Sequence, residues 1–358
     1  MSARVVLVGA GHAHMEAVRQ ARRFQDAGLS LTLIDPGAFW YSGAATGMLS
    51  GALEPAAAKA DPGALSGPVE PIKARVAEVD APARTVRLDD GRTVSFDVLS
   101  LNTGSAVADT ALTRSGAVAV KPVANLADLR TRIEAAQGRL SVMVAGAGAT
   151  GVEVALSIAG LQRRLGAPVR VALAGSDPLL PGWPKKAARL AGRALEEAGV
   201  NRRRVRAQSV CEDGWIDETG QTHDADVIVA ATGLIAQLPG GLTDDAEGLP
   251  VGPDLAWLDD RRIFAAGDCA HLTHAPRPKL GVFGVRAAPV LINNLIAAAR
   301  GEARRERYDP QARWLSLMDL GDGTGLGRYG GLAHRSHAAL WLKRWIDARF
   351  VRRYQPCS

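Results

Sequence analysis

Val142-Met143-Val144-Ala145-Gly146-Ala147-Gly148-Ala149-Thr150-Gly151-Val152-Glu153 is an apolar run, a glycine turn and the opening of a helical pattern. The chain begins with the same grammar: Val5-Val6-Leu7-Val8-Gly9-Ala10-Gly11-His12-Ala13-His14-Met15-Glu16. In both, the glutamate falls at the same offset from the first glycine. The two copies also end alike. Asp90-Gly91, a hairpin turn signal, precedes Phe96-Asp97-Val98-Leu99-Ser100-Leu101-Asn102-Thr103-Gly104, and Thr219-Gly220 precedes Ala225-Asp226-Val227-Ile228-Val229-Ala230-Ala231-Thr232-Gly233. Each copy covers roughly 90 residues, the size of one small α/β domain. The expected fold class is therefore α/β, with two Rossmann-like dinucleotide-binding domains and a short C-terminal strand–helix extension.

Such a turn has a physical purpose. A pyrophosphate needs backbone N–H donors at close range, and a helix N-terminus supplies them together with a favourable dipole. The first glycine makes the turn, the second admits the phosphate, and the third lets helix and strand pack closely. The second copy has all three, Gly146, Gly148 and Gly151, with Thr150 between the last two and Glu153 just beyond. The first copy has Gly9 and Gly11, but His14 takes the third place; Gly9, Gly11, His12, Ala13 and His14 are the expected cofactor-binding residues of this turn, with packing the other reading for the two histidines. Leu31-Thr32-Leu33-Ile34-Asp35 then reads as a second strand ending in a carboxylate, at the spacing where an acid meets a ribose hydroxyl. The matching strand of the second copy, Val169 to Ala174, is followed by Gly175-Ser176 and carries no acid. Without it the bar to a 2′-phosphate is removed, and Ser176, Lys185 and Lys186 could help to bind NADPH. The two lysines could equally be an ordinary charged helix start, so NADH and NADPH both stay open.

Composition narrows the classes. The chain has 358 residues, enough for two domains; 47% hydrophobic and 22% charged residues are ordinary for a soluble globular protein. No signal peptide is expected at the start, and no segment is expected to span a bilayer, which points to the cytoplasm. The formal charge of +6 and pI near 9.5 owe much to arginines in the last 60 residues; a solvated surface accounts for them, and no nucleic-acid partner is expected. Cys211, Cys269 and Cys357 form neither a CxxC nor a metal spacing. His12 and His14 lack further ligands at useful spacing, so no metal is expected.

A third motif, Arg262-Ile263-Phe264-Ala265-Ala266-Gly267-Asp268-Cys269-Ala270, is a short strand running into Gly-Asp. It resembles the C-terminal flavin motif of the pyridine nucleotide–disulfide oxidoreductase superfamily, where the aspartate bonds FAD at its ribityl–phosphate portion. Thr103-Gly104 and Thr232-Gly233 are similar to that family's motifs at the interdomain crossings. The resemblance implies an FAD domain of residues 1–106 and 240–300, an inserted NAD(P)H domain of residues 107–239, and an extension of residues 301–358. Within the superfamily the chain looks like the type II NADH dehydrogenase and sulfide:quinone reductase branch. Gly11-His12-Ala13-His14, Tyr41-Ser42-Gly43 and Arg277-Pro278-Lys279 before Gly281-Val282-Phe283 are most similar to the flavoprotein module sometimes fused to selenide, water dikinase. Arg286 and Ala287 stand where type II dehydrogenases carry a glutamine pair facing the quinone. Arg286 and Lys279 could supply charge beside the flavin, as candidate catalytic residues, or simply face solvent. Disulfide chemistry is disfavoured, because the CxxxxC of the disulfide reductases is missing.

The resemblance thus implies an FAD-dependent NAD(P)H dehydrogenase that passes electrons from a reduced nicotinamide to a quinone or quinone-like acceptor. A reductase for a protein such as a ferredoxin, and a flavin redox sensor, are the rivals. The extension reads as strand, glycine turn and strand from Leu315 to Gly327, then a helix from about Ala338 to Tyr354. On a helical wheel Trp341, Leu342, Trp345, Ile346 and Phe350 share one face, with Lys343, Arg344 and Asp347 opposite. That face suits docking on the body, a homodimer partner, or peripheral contact with the inner face of a membrane.

Overall fold

The computed structural model describes residues 2–65, 67–166, 169–303 and 305–355; Cys357 lies outside them. Two five-stranded parallel sheets dominate. The first runs in the order Ile263–Ala265, Val98–Leu101, Arg4–Val8, Ser30–Ile34, Val69–Ile72. The second runs Val118–Ala119, Val227–Ala230, Leu140–Ala145, Val169–Ala174, Asn201–Arg203. Both place the strand before the glycine turn at the centre. A central parallel strand is covered on both faces, so its residues are apolar without alternation; Val5 to Leu7 and Val142 to Ala145 are accordingly buried.

The duplication extends further. Each sheet carries a three-stranded antiparallel meander: Val76–Asp80, Thr85–Leu88 and Thr93–Ser95 in the first copy, Ala207–Cys211, Gly214–Asp217 and Thr222–Asp224 in the second. The outermost strand marks the asymmetry. Ile263–Ala265 joins the first sheet only after the whole second copy has been traversed. The chain crosses between the two through Ser105–Val107 and Leu234–Ala236, which pair antiparallel.

Two hydrophobic cores follow the two sheets. Their membership is not a simple cut along the sequence. The short helix Ala45–Leu49 contributes Ala45, Met48 and Leu49 to the second core, although it lies between strands of the first sheet. The C-terminal extension is also divided rather than separate. Leu315–Asp319, Gly325–Tyr329 and Leu332–Ser336 form a three-stranded antiparallel sheet, one strand more than the sequence pattern suggests. Met318, Leu320, Leu326 and Ala333 enter the second core, while Tyr354 enters the first.

The helix His337–Arg352 splits the face its wheel groups together, with Leu342 and Phe350 half-buried and the tryptophans outside. Trp341 is 66% exposed and Trp345 48%, whereas Leu340, Lys343 and Val351 are buried. The helix Gly281–Ala299 is, among the described residues, long and apolar enough to cross a bilayer, but half of its apolar window is buried in the protein. Its Ala287, Leu291 and Leu295 enter the first core.

Candidate active site

The glycine turns position everything else. At Gly9, φ is +85°, and a Cβ would sit 2.8 Å from the Asn102 carbonyl oxygen; at Gly11 it would sit 2.4 Å from both that oxygen and Asn102 Oδ1. Asn102 is the clamp behind this turn. Its Oδ1 accepts hydrogen bonds from the N–H groups of Ala13 (2.9 Å) and His14 (3.3 Å), and its Nδ2 donates to the Ala266 carbonyl (2.5 Å). One buried amide thus ties the helix His12–Arg19, the strand end at Leu101 and the Gly267–Asp268 turn together.

Sequence reasoning passed over Asn102, and its role changes two expectations. Of the residues expected at the cofactor, Ala13 and His14 are fully buried and their N–H groups are used by Asn102, which for His14 leaves the packing reading. His14 Nδ1 lies 2.6 Å from the Gly9 carbonyl, which only accepts, so Nδ1 carries the proton; Nε2, 2.7 Å from Ser100 Oγ, then accepts. Burial pushes the His14 pKa down to about 4, so the ring stays neutral. It fills the third-glycine place by bonding helix to strand.

A cavity of about 870 Å³ opens in front of the turn. It falls within the range of cofactor sites, about 300–1,000 Å³. Gly9, Gly11, His12, Asp35, Thr103, Gly104, Gly267, Asp268 and Lys279 line it. Asp35 accepts from the N–H groups of Ala10 (2.6 Å) and Gly37 (2.9 Å), and burial raises its pKa. His12 sits among the rings of Phe39, Tyr41 and Phe350, 5.3–5.7 Å between centroids, and burial lowers its pKa to about 4. Thr103 Oγ1 donates to the Gln237 carbonyl, which holds the interdomain crossing.

The charges at the far end come from several elements. Asp268 Oδ2 accepts from Ser105 Oγ (2.7 Å) and from Lys121 Nζ (2.9 Å). Burial pushes the Asp268 carboxyl upward, but the Lys121 ammonium and the Ser105 hydroxyl outweigh it and hold the group below its ordinary range. Lys121 stands 147 residues away in sequence, and no local pattern marks it. Lys279 Nζ donates to the backbone carbonyls of Glu247 (2.8 Å) and Asp268 (2.9 Å), so it braces the aspartate turn while lining the cavity. Arg286, its expected companion, is exposed on the helix Gly281–Ala299 and lines no part of this cavity. Cys269 is fully buried, its Sγ close to the carbonyls of Leu101 (3.5 Å) and Ala266 (3.4 Å), and burial raises its pKa. The thiol is packing.

Gly146, Gly148 and Gly151 of the second glycine turn do not themselves line this cavity; the helix that follows them reaches it. Gly146 has φ +130°, and a Cβ at Gly151 would lie 1.9 Å from the Gly146 carbonyl oxygen, so helix Ala149–Leu165 closes on its turn only with glycine there. From that helix Thr150 and Glu153 line the 870 Å³ cavity. Gly148 caps the helix, Ser176 follows the strand Val169–Ala174, and Thr232 and Gly233 are exposed at the interdomain crossing.

Both repeated glutamates anchor the C-terminal helix. Glu16 accepts from Arg19, Gln20 and the Tyr354 hydroxyl (3.1 Å). Glu153 accepts from Thr46 Oγ1 (2.9 Å) and the Asp319 N–H (2.8 Å), with Lys343 Nζ 4.0 Å away. Burial raises the Glu153 pKa, against the pull of Lys343. Lys343 is itself buried, donating to Asp347 (2.9 Å) and to the Gly43 carbonyl (2.5 Å). Beside it lies a second cavity of about 450 Å³, lined by Ala44, Leu53, Ala57, Lys343, Asp347 and Val351, among others.

Two parallel-sheet domains that turn their phosphate-binding helix starts toward one cavity define a two-dinucleotide oxidoreductase architecture. The family model "Pyridine nucleotide-disulphide oxidoreductase" matches residues 3–289. The chain belongs to that family. It is 34% identical over 208 residues to the anthranilate 1,2-dioxygenase system ferredoxin–NAD(+) reductase component of Burkholderia cepacia, covering 54% of this chain and 48% of the relative. The chain thus spans about half the length of that curated relative. The fold is shared with the sulfide:quinone oxidoreductase of Aquifex aeolicus (TM-score 0.79, 16% identity, 100% and 93% of the two chains). It is shared also with NDH2 of Plasmodium falciparum (0.80, 13%, 98% and 96%) and a ferredoxin reductase of Rhodopseudomonas palustris (0.73, 20%, 90% and 81%).

Proposed function

We propose that the protein is an FAD-dependent NAD(P)H dehydrogenase, resembling the type II NADH dehydrogenase branch, whose acceptor is a quinone or quinone-like molecule. The observation that carries this is the shared cavity. Gly9, Gly11 and Asp268 line it from one domain, and Thr150 and Glu153 line it from the helix start of the other. FAD held on the first turn would supply hydride acceptance and electron transfer to the acceptor. Gly9 and Gly11 admit its pyrophosphate, Asp35 meets a ribose hydroxyl, and Asp268, kept ionised by Lys121, accepts a hydrogen bond from the ribityl portion. The turn Gly146–Gly151, with Thr150 and Glu153, orients the nicotinamide toward the same space, with Ser176, Thr232 and Gly233 at its margins. Residues 1–106 with 240–300 would form the flavin domain and residues 107–239 the nicotinamide domain.

The 450 Å³ cavity supports the acceptor side. Ala44 and Gly47 line it, while Gly43, Ala45 and Thr46 line the flavin cavity, so one short segment walls off both. Its apolar lining beside Lys343 and Asp347 suits a flat apolar ring with polar oxygens. Quinone reduction takes up protons, and Glu153, Lys343 and Asp347 are buried groups able to hold them. The exposed Trp341 and Trp345, with arginines on the same helix, suit peripheral contact with a membrane where such acceptors dissolve.

The relative in Burkholderia cepacia favours a second reading, reduction of a ferredoxin, with the basic surface as its docking face. Anaerobic mixing with NADH and with NADPH tests the first half: rapid bleaching of the flavin absorbance is expected, and its absence with both would refute the reading. Turnover with a short-chain quinone, stimulated by lipid, supports the leading acceptor. Salt-sensitive turnover with a ferredoxin alone would replace it.

A further inference from the structure

The internal symmetry allows the ribose end of the second domain to be read against the first. Val8 pairs with Ile34, and Ala145 pairs with Ala174, so the residues that follow, Asp35 and Gly175, are counterparts. Their N–H groups do the same thing: Asp35 donates to the Ile72 carbonyl (3.1 Å), and Gly175 to the Arg203 carbonyl (3.0 Å). In the first domain the Asp35 carboxylate closes back on the Ala10 N–H. In the second, no side chain fits. A Cβ at Gly175 would lie 2.6 Å from the Ala147 nitrogen.

The next strand differs as well. Register places Arg202 opposite Leu173 where the first domain has Pro71 opposite Leu33, and Arg203 and Arg204 continue the run. Arg202 bonds Asp177 Oδ1, and Arg204 Nη1 lies 3.4 Å from Asp177 Oδ2. Both guanidiniums are thus tied to the loop that follows Gly175. Arg202 Nε is buried without a hydrogen-bond partner, and Arg204 is 73% exposed.

We propose that the second domain is built for NADPH, with Arg202 and Arg204 receiving the 2′-phosphate. This rests on the reading of that domain as the nicotinamide domain. Where a carboxylate would stand to bond a 2′-hydroxyl, the backbone is bare, and two guanidiniums stand beside it instead. A guanidinium offers fork-like donors matched to phosphate oxygens, and a dianion gains from two of them even with Asp177 between. Asp177 holds the pair in place. The arginines, rather than Lys185 and Lys186, are the cations joined to this loop.

The test uses the full-length, flavin-loaded protein and two fragments that need no flavin chemistry, adenosine 2′,5′-bisphosphate and AMP, titrated by calorimetry. The bisphosphate is expected to bind roughly tenfold or more tightly. Arg202→Ala should remove most of that difference and Arg204→Ala a several-fold part, with AMP affinity unchanged; Arg202→Lys, which keeps the charge, should retain part of it. In stopped-flow runs NADPH should then bleach the flavin at lower concentration than NADH. Equal or tighter binding of AMP overturns the proposal. So does a loss of AMP and NADH affinity in Asp177→Asn with the arginine variants unaffected, since Asp177 would then be the ribose acceptor of an NADH site. Either result leaves the dehydrogenase reading intact as long as NADH bleaches the flavin. Failure of both nucleotides to bind and to bleach removes both.

Discussion

Replacing Asn102 by alanine should loosen the flavin turn more than any other single change behind it. The substitution leaves the N–H groups of Ala13 and His14 without partners and reduces the Ala266 carbonyl to its weak contact with the Cys269 thiol. Each group left dry costs about 1–3 kcal/mol, and water entering from the cavity can satisfy part of the deficit. The expected loss is therefore about 3–5 kcal/mol, a large share of the 5–15 kcal/mol that typically holds a domain folded. Because the amide joins the phosphate-binding helix to the Gly267–Asp268 turn, the loss should fall on flavin retention as well as on the fold. Flavin fluorescence during a thermal ramp, alongside urea unfolding followed by tryptophan emission, reads both. Asn102→Asp separates them further. It keeps an acceptor for the helix N–H groups, but sets a carboxylate against the Ala266 carbonyl and near the pyrophosphate, so flavin should be lost before the fold. An Asn102→Ala protein that unfolds within about 1 kcal/mol of the parent and keeps its flavin through gel filtration would refute the clamp.

Other outcomes follow from the same contacts. Gly151→Ala forces a Cβ toward the Gly146 carbonyl, 1.9 Å away in the present backbone, so nicotinamide-driven bleaching should fall at least tenfold while bound flavin, measured by its spectrum, stays near stoichiometric. His14, held neutral by burial with its pKa lowered from 6.5 to about 4, binds a proton in the unfolded chain before it does in the folded one. Its contribution is complete above pH 6.5 and declines toward pH 4 by about 3 kcal/mol; urea midpoints across that range should fall with acid, and a His14→Gln variant should show a flatter dependence. Trp341→Ser with Trp345→Ser should reduce co-sedimentation with anionic lipid vesicles several-fold and leave nicotinamide-driven bleaching unchanged, because both rings point outward; unchanged sedimentation would show that this face serves another surface.

Much of the architecture was legible because it depends on local chemistry. A buried parallel strand has to be apolar on both faces, a phosphate turn has to be glycine, and both recur at fixed spacing from Val5 and from Val142. The resemblance of the Gly267-Asp268 motif to the flavin family needed only a short strand and two residues. His14 left two readings open, cofactor contact and packing. Its neighbours in sequence point to phosphate, but its partners, the Gly9 carbonyl and Ser100, are fixed by how the helix lies on the strands. Arg286 was singled out because it stands at the family's glutamine position, with charge beside the flavin and solvent exposure both open; the helix turns Arg286 outward, while Lys279 lines the cavity.

The duplicated α/β plan, the two glycine turns, the lack of an acid directly after the second strand of the second copy, and the motif around Asp268 are all local features of the chain. Each is enforced within a dozen residues by backbone sterics or strand burial. Packing in three dimensions brought the distant groups together. It set Lys121 on Asp268, Asn102 between two turns, Arg202 and Arg204 beside Gly175, and Lys343 near Glu153. It also turned the C-terminal helix so that a lysine and an aspartate lie inside while two tryptophans lie outside. A helical wheel ranks faces by hydrophobicity alone. A buried lysine becomes acceptable when two carboxylates and a backbone carbonyl surround it; Asp347 is its i,i+4 neighbour, but Glu153 and the Gly43 carbonyl come from parts of the chain that no local pattern connects.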